Sequence, residues 1–211
     1  MDNLIIIGGG GHAKVIVSIL KKVNQFRLIG YVDKVDRGEI LGVKYIGTDE
    51  VLEKLFINGD VSNAALGIGQ LKDTSQRRDI VSRVSRIGYS FPRLISPDAV
   101  INEDVEISDG TVIMDGVVIN SGTRIGRFCI INTRASIDHD CRIGDYTHIA
   151  PGATLSGGVE VGSDVLIGVG ASIVQYKKIV DNVIIGAGSA VCQDVIDQGT
   201  YGGIPARKIG K

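Results

Sequence analysis

Three histidines, a run of four glycines and a few carboxylates carry the chemistry available to this 211-residue chain. His139 sits in the triplet Asp138-His139-Asp140. A carboxylate that binds one ring nitrogen fixes the tautomer and raises the basicity of the other, which suits a general base near neutral pH. His148 follows nine residues later, and His12 closes the run Gly8-Gly9-Gly10-Gly11-His12. That run fits G-x-G-x-x-A through Gly8, Gly10 and Ala13, with Asp33 twenty residues beyond Ala13. Bare backbone at a helix N-terminus approaches a pyrophosphate closely, and an acid ending the next strand can bond a ribose or base. Plainer readings stand beside these. The histidines suit a solvated surface, His12 a helix start, and the glycines a tight turn. NAD suits the loop less well than a nucleotide-linked ligand, because a dinucleotide dehydrogenase needs a second half-sheet that this short segment hardly holds.

The elements that position these residues follow from two periodicities. From Ile95 to Val191 every sixth residue is a branched aliphatic, seventeen in one register, among them Ile113, Ile131, Ile137, Ile143, Ile149, Leu155 and Val161. Neither a helix nor a flat sheet has a period of six. A short extended run plus a corner has it. Three such runs close a triangle of eighteen residues, and triangles stacked about 4.8 Å apart form a parallel β-helix. Four residues after each aliphatic comes a slim side chain that fits inside beside it, such as Cys129, Ala135, Cys141, Thr147, Ala153 or Ala171. The position after the aliphatic must turn. It is Gly, Asn, Asp or Ser in twelve of the seventeen repeats, residues that tolerate positive φ or hydrogen-bond their own turn. His139 is third in its repeat and His148 last in the next, so both point outward. Nine residues is half a circuit. The two therefore face away from each other within one chain, and a reaction that uses both draws them from neighbouring subunits about a three-fold axis.

Residues 1–90 read as a small parallel α/β sheet. Leu4–Ile7 is a buried strand, and Ala13–Val23 a helix with Val15, Ile16, Ile19, Leu20 and Val23 inward. Leu28–Val32 is a strand ending in Asp33-Lys34, and Thr48-Asp49 starts a helix on Val51, Leu52 and Leu55. Ala64–Ile68 is a third strand, ending at Gly69. Asp73-Thr74 caps a helix through Ile87 with Ile80, Val81, Val84 and Ile87 inward, and Phe91 adds a short strand. Residues 91–211 form the β-helix and a C-terminal tail.

Composition removes whole classes of function. The formal net charge is −1, and there is no Trp, no basic block and no aromatic series to stack bases, so no nucleic-acid partner is expected. Leu4–Ile7 is too short for a signal-peptide core, and no stretch reaches the roughly 18 apolar residues of a membrane span. A soluble, cytoplasmic protein is expected. Cys129 and Cys141 take the small inward position and Cys192 a turn position, with no metal-ligand spacing.

These residues together resemble the hexapeptide-repeat acyltransferases with a left-handed parallel β-helix. Within them the chain is similar to the two-domain sugar acetyltransferases, typified by the nucleotide-sugar 4-N-acetyltransferases of bacillosamine and perosamine pathways. Sialic acid O-acetyltransferases share that organisation. The resemblance covers the whole chain. It rests on Gly8 to His12, Asp33, Ile131-Asn132-Thr133 ahead of Asp138-His139-Asp140, His148, the repeats and the closing Gly203-Ile204-Pro205-Ala206-Arg207. It implies a Rossmann-like sugar-nucleotide-binding domain over 1–90 and an acyltransferase β-helix over 91–211, assembled as a homotrimer. It implies His139 as catalytic base with Asp140 in support. It also implies acetyl-CoA as cosubstrate against His148, Gly157, Val169 and Ala187, with no metal. The nucleotide sugar is expected on Gly8, Gly10, Gly11, His12, Asp33, Lys34 and Gly69. The implied reaction is transfer of acetyl to the amine of a UDP-, GDP- or dTDP-linked 4-amino-4,6-dideoxy sugar. Sialic acid O-acetylation is one alternative. A non-catalytic nucleotide-sugar-binding trimer is another, and the Asp-His-Asp triplet argues against it. One departure from the family is Lys177 at a small inward position where relatives carry an aliphatic, which leaves the coil between Gln175 and Lys178 open.

Overall fold

The two periodicities of the sequence become two kinds of architecture. The computed structural model describes residues 1–70 and 74–210, in compact units Met1–Ser96 and Pro97–Lys211. Asp73, read with Thr74 as a helix cap, lies outside the described residues. Among the described residues no helix is long and apolar enough to cross a membrane.

The first unit runs β1 (Asp2–Ile7), α1 (Gly11–Val23), β2 (Phe26–Val32), β3 (Tyr45–Gly47), α2 (Val51–Ile57), β4 (Asn63–Leu66) and α3 (Ser75–Ile87). The strands pair in parallel in the order β3-β2-β1-β4. β1 is interior to the sheet, and Leu4 to Ile7 are all buried. A strand covered on both faces reads as an unbroken apolar run, as this one does. On α1 the inward stripe is Ala13, Ile16, Val17, Ile19 and Leu20. Val15, expected inward, is exposed instead, because Val17 one turn from Ala13 takes the sheet-facing position. On α3 the buried side chains are Arg77, Val81 and Val84, with Ile80 and Ile87 only half-covered. β3 escapes periodicity because three residues at a sheet edge show no alternation. Phe91 forms no strand; a single parallel bridge joins Asn63 to Ser90.

In the second unit the repeat becomes a left-handed parallel β-helix. Each two-residue strand pairs with the strand eighteen residues away, as in Ile125 beside Ile143, Ile131 beside Ile149 and Ile137 beside Leu155. The aliphatics and the slim residues four beyond them fill the interior, and Ile137, Cys141, Ile149, Ala153 and Leu155 are all fully buried. Three faces present different outward chemistry. One carries Glu106, Arg124, Arg142, Glu160 and Lys178. The second carries Val112, Ile130, His148, Leu166 and Ile184. The third carries Val118, Ser136, Thr154 and Ser172.

The corners differ from the expectation drawn from composition. Positive φ occurs not directly after the aliphatic but two residues later, at every sixth residue from Asp104 to Gly188 without a gap, including Phe128, Asp140 and Tyr146. Non-glycine residues there cost about 1–2 kcal/mol each. Phe128 and Tyr146 offset this by stacking at 5.1 Å between centroids. Glycine directly after the aliphatic has another cause, which is close approach of coils. A Cβ on Gly144 would stand 2.5 Å from the Gly162 carbonyl carbon.

Lys177 leaves the register intact. Lys178–Ile179 pairs with Glu160–Val161, and the Glu160 N–H donates to the Lys177 carbonyl at 2.9 Å. The Lys177 side chain is half-buried, and its ammonium stands 3.9 Å from Asp194 Oδ1.

Buried threonines stitch coil to coil. The Thr147 hydroxyl donates to the Gly162 carbonyl at 2.7 Å and accepts from the Val165 N–H at 3.2 Å. Thr111 and Thr123 repeat this with Gly126 and Cys129, and with Asp138 and Cys141. Thr147→Val keeps the shape and orphans a buried N–H. It is expected to lower unfolding free energy by about 1–3 kcal/mol, read from the denaturant midpoint, while Thr147→Ser costs less. A valine variant as stable as the parent would show that the hydroxyl holds nothing.

Candidate active site

His139 stands on a corner of the β-helix, and the corner geometry supplies its partners. Asp140 occupies the left-handed position of that corner, with φ of 59°. This swings its carboxylate back to the preceding ring, and Asp140 Oδ2 accepts from His139 Nδ1 at 2.8 Å. The proton is therefore held on Nδ1, and Nε2 carries the lone pair. The hydrogen bond to Asp140 raises the His139 pKa above the ordinary value, outweighing an opposing desolvation, with further help from the charges of Asp138 and Asp140. The two flanking carboxylates have separate tasks. Asp138 Oδ1 accepts the His139 main-chain N–H at 2.8 Å and the Asn120 side-chain amide at 2.8 Å. The Asn120 bond and then the His139 N–H hold Asp138 below the usual carboxylate range. Asn102 in turn donates to Asn120 Oδ1 at 2.7 Å, so two preceding coils brace this corner.

His148 lies on the apolar face and points away from the interior, yet only 9% of it is exposed. The plainer reading of His148 as a solvated surface histidine does not hold, because the large outward side chains of that face cover one another. Asn132 fixes its state. Asn132 Oδ1 accepts the Thr133 N–H at 2.8 Å, which turns the amide nitrogen toward His148 Nε2 at 3.0 Å. Nε2 then accepts, and the ring is the neutral Nδ1–H tautomer. Within one chain His139 shares its corner with Gly157. Val169 and Ala187 follow Ile167 and Ile185 at another corner, beyond the His148 face. That second corner is bare: Val169 is exposed, and nothing lies within 4 Å of a Cβ built on Gly152, Gly170 or Gly188.

In the α/β unit the glycine loop joins β1 to α1, as expected, but its glycines differ in purpose. Gly8 has φ of 98° and a Cβ there would meet Ile68 at 2.6 Å, and one on Gly9 would meet Tyr31 at 2.5 Å. Those two are required by the fold. Gly10 and Gly11 have open space where a Cβ would stand, so close packing does not require glycine at either. Asp33 Oδ2 accepts the Gly9 N–H at 2.7 Å and Arg37 Nε at 2.9 Å. Burial pushes the Asp33 carboxyl up, and these donors outweigh it and hold the pKa below its ordinary value. Asp33 is thus a staple of the loop, with Oδ1 turned toward the more distant Val35 N–H at 3.4 Å. His12 and Gly69 are neighbours, since a Cβ on Gly69 would stand 3.7 Å from His12 Cβ. Lys34 is exposed and lines a shallow cleft with Thr48, Asp49, Glu50 and Arg83.

Comparison with known proteins bears on both units. The PglD N-terminal domain model matches residues 3–84, and the bacterial transferase hexapeptide (six repeats) model matches residues 122–157. Perosamine N-acetyltransferase of Caulobacter crescentus, solved with CoA and GDP-perosamine, is 36% identical, with a TM-score of 0.92 over 100% of this chain and 98% of that one. The protein belongs to the hexapeptide-repeat sugar acetyltransferases. The acetyltransferase domain of PglB from Neisseria gonorrhoeae is 31% identical to this acetyltransferase, with a TM-score of 0.91 over 99% and 100% of the two chains. WeeI of Acinetobacter baumannii, at 23% identity and a TM-score of 0.84 over 98% and 99%, shares the fold. No curated protein sequence matches the acetyltransferase.

Sequence reasoning missed Asn102, Asn120, Tyr31 and Arg37 of this acetyltransferase, and it named Asn132 without its bond to His148. The first two were within reach, because they precede Asp138 by two coils and by one. Tyr31 and Arg37 carried no signal. The Tyr31 hydroxyl donates to the Gly38 carbonyl at 2.7 Å and accepts the Arg37 N–H at 3.0 Å, contacts made by an irregular loop. Asp140→Asn removes the anionic partner of His139. The His139 ring resonances in the parent are expected to titrate above about 6.5 and to move down in the variant. Unchanged titration would remove Asp140 as the source of the raised basicity.

Proposed function

We propose that the protein transfers acetyl from acetyl-CoA to the amine of a nucleotide-linked 4-amino-4,6-dideoxy sugar, with His139 as general base. The observation that carries the reading is the His139–Asp140 pair on an open corner, with Nε2 left to take a proton. The nature of the acceptor is supported by the perosamine enzyme, which matches over its length and was solved with CoA and GDP-perosamine. Two variants of that enzyme, with a histidine replaced by asparagine or alanine, were solved with the same ligands.

The amine lone pair attacks the thioester carbonyl carbon while Nε2 of His139 takes a proton from the nitrogen. The imidazolium so formed keeps its Nδ1–H on Asp140. Main-chain N–H groups of the coils stabilise the oxyanion. Collapse of the tetrahedral intermediate breaks the C–S bond, and the CoA thiolate leaves and is protonated. A thioester is already activated, so neither a metal nor a covalent enzyme intermediate is called for. Gly8, Gly10, Gly11, His12, Asp33, Lys34 and Gly69 form the nucleotide-sugar set, with Gly10 and Gly11 giving the closest approach. His148, Gly157, Val169 and Ala187 form the acetyl-CoA set. Because these fall on different corners of one prism, the site is completed by a neighbouring subunit in a cytoplasmic homotrimer. Residues 1–90 bind the sugar nucleotide and 91–211 the acyl donor.

His139→Asn is expected to lower kcat by roughly 10²–10⁴, the usual contribution of a general base, in steady-state assays with GDP-, UDP- and dTDP-linked amino sugars. Mixed refolding of His139→Ala with His148→Ala chains is expected to regain activity above either parent, since some interfaces then hold both rings. Parent-like turnover in the asparagine variant would sink the base, and merely additive mixtures would sink the shared site.

Gly10→Ala tests the loop separately. Its Cβ meets no protein atom, so the unfolding midpoint is expected to hold. The KM for the nucleotide sugar is expected to rise roughly tenfold, equivalent to about 1.4 kcal/mol, with the KM for acetyl-CoA unchanged. Equal effects on both substrates, or none, would reduce the loop to a turn.

A further inference from the structure

We infer that Gly157 is a positioning residue, its missing side chain forming the seat on which the His139 imidazole rests. Gly157 lies eighteen residues after His139, at the same corner position of the adjoining coil. A Cβ built on it would stand 2.5 Å from His139 Nε2, 2.6 Å from Cε1 and 3.1 Å from Cδ2. The Nε2 edge of the ring is thus laid against bare backbone. The main chains are tied as well, with the Gly158 N–H donating to the His139 carbonyl at 2.8 Å. Any side chain at 157 must push the ring away, and the ring is anchored at its other nitrogen by the 2.8 Å bond to Asp140.

The β-helix itself does not ask for glycine there. The second residue after the aliphatic is Ser121, Thr133, Asp145, Pro151, Ser163, Val169, Gln175, Asp181 or Ala187 in other repeats, and across all seventeen it is glycine only at 157. Gly157 has no left-handed φ, unlike its neighbour Gly158 at 67°. Alanine is therefore strained at 157 only by lack of space. The partner of the ring is seated likewise. A Cβ on Gly122, one coil before Asp140, would stand 2.6 Å from Asp140 Oδ1. Bare backbone of one coil thus supports the acid, and bare backbone of another supports the ring.

The kinetic arm of the test rests on His139 as the base, and the other arms do not. In Gly157→Ala the displaced ring loses its Asp140 bond, so its resonances are expected to titrate lower, toward about 6.5. With the base misplaced by about 1 Å, kcat at saturating acetyl-CoA is expected to fall on the order of 10²-fold, with the KM for the nucleotide sugar changed much less. On a His139→Asn background at saturating acetyl-CoA the same alanine is expected to cost far less in kcat than it does in the parent, the non-additivity of groups in contact. Where Gly157→Ala lowers the unfolding midpoint, His139→Ala/Gly157→Ala is expected to restore it, because removal of the ring vacates the space. A folded Gly157→Ala with parent titration and parent kcat would overturn the seat. So would instability that persists without the ring, since glycine would then serve the coil. If His139→Asn turns over normally while the Gly157→Ala titration still shifts, the seat stands and the base assignment fails.

Discussion

Every feature of the β-helix depends on backbone hydrogen bonds that run between residues one coil apart. The Ser136 N–H bonds the Ala153 carbonyl, the Arg142 N–H that of Val159 and the His148 N–H that of Val165. Parallel pairing at that offset stacks each residue on the one eighteen away. A slip of one residue would turn the aliphatics outward and break the core. Locked register gives the chain a second neighbourhood rule beside ordinary sequence adjacency. Asn102, Asn120 and Asp138 form one column by this rule, and Gly122 and Asp140 form another.

The corner that holds His139 uses both rules together. Sequence adjacency gives the Asp140 carboxylate, and left-handed backbone at Asp140 aims it at Nδ1. Stacking supplies Asn120 beneath Asp138. The result is a base whose tautomer is set by one acid and whose main chain is set by another, although half of the side chain remains exposed. An exposed imidazole on a loop would rotate freely. Here the rigidity comes from the coil, and openness to reactants is kept.

The α/β unit solves a comparable problem with different means. A loop of four glycines has little intrinsic order. Two are committed to close packing with Ile68 and Tyr31, and Asp33 pins the Gly9 N–H. Arg37 then occupies the same carboxylate oxygen as that N–H. An acid that looked from its place after β2 like a direct ribose ligand is first a structural brace, and its Oδ1 is the oxygen with capacity to spare. Gly10 and Gly11 stay open because the rest of the loop is tied down around them.

The sequence by itself determined the six-residue period, the triangular coil, the buried aliphatic and slim positions, and the alternating α/β unit ahead of them. Those follow from which side chains must leave water, and hydrophobic burial is written directly into spacing. It also determined that His139 and His148 point outward half a circuit apart. Only the tertiary structure decided the rest. It put positive φ two residues later than composition suggested, because glycine after the aliphatic answers to coil contact and not to dihedral freedom. It buried His148 under its own face, where outward direction along a strand says nothing about neighbouring side chains. It exposed Val15, kept Lys177 in register and added β3, whose three residues gain their place only by pairing with β2. And it separated the glycines that the fold requires from those it leaves bare, since that difference lies in the space around a missing Cβ, which one-letter spacing does not record.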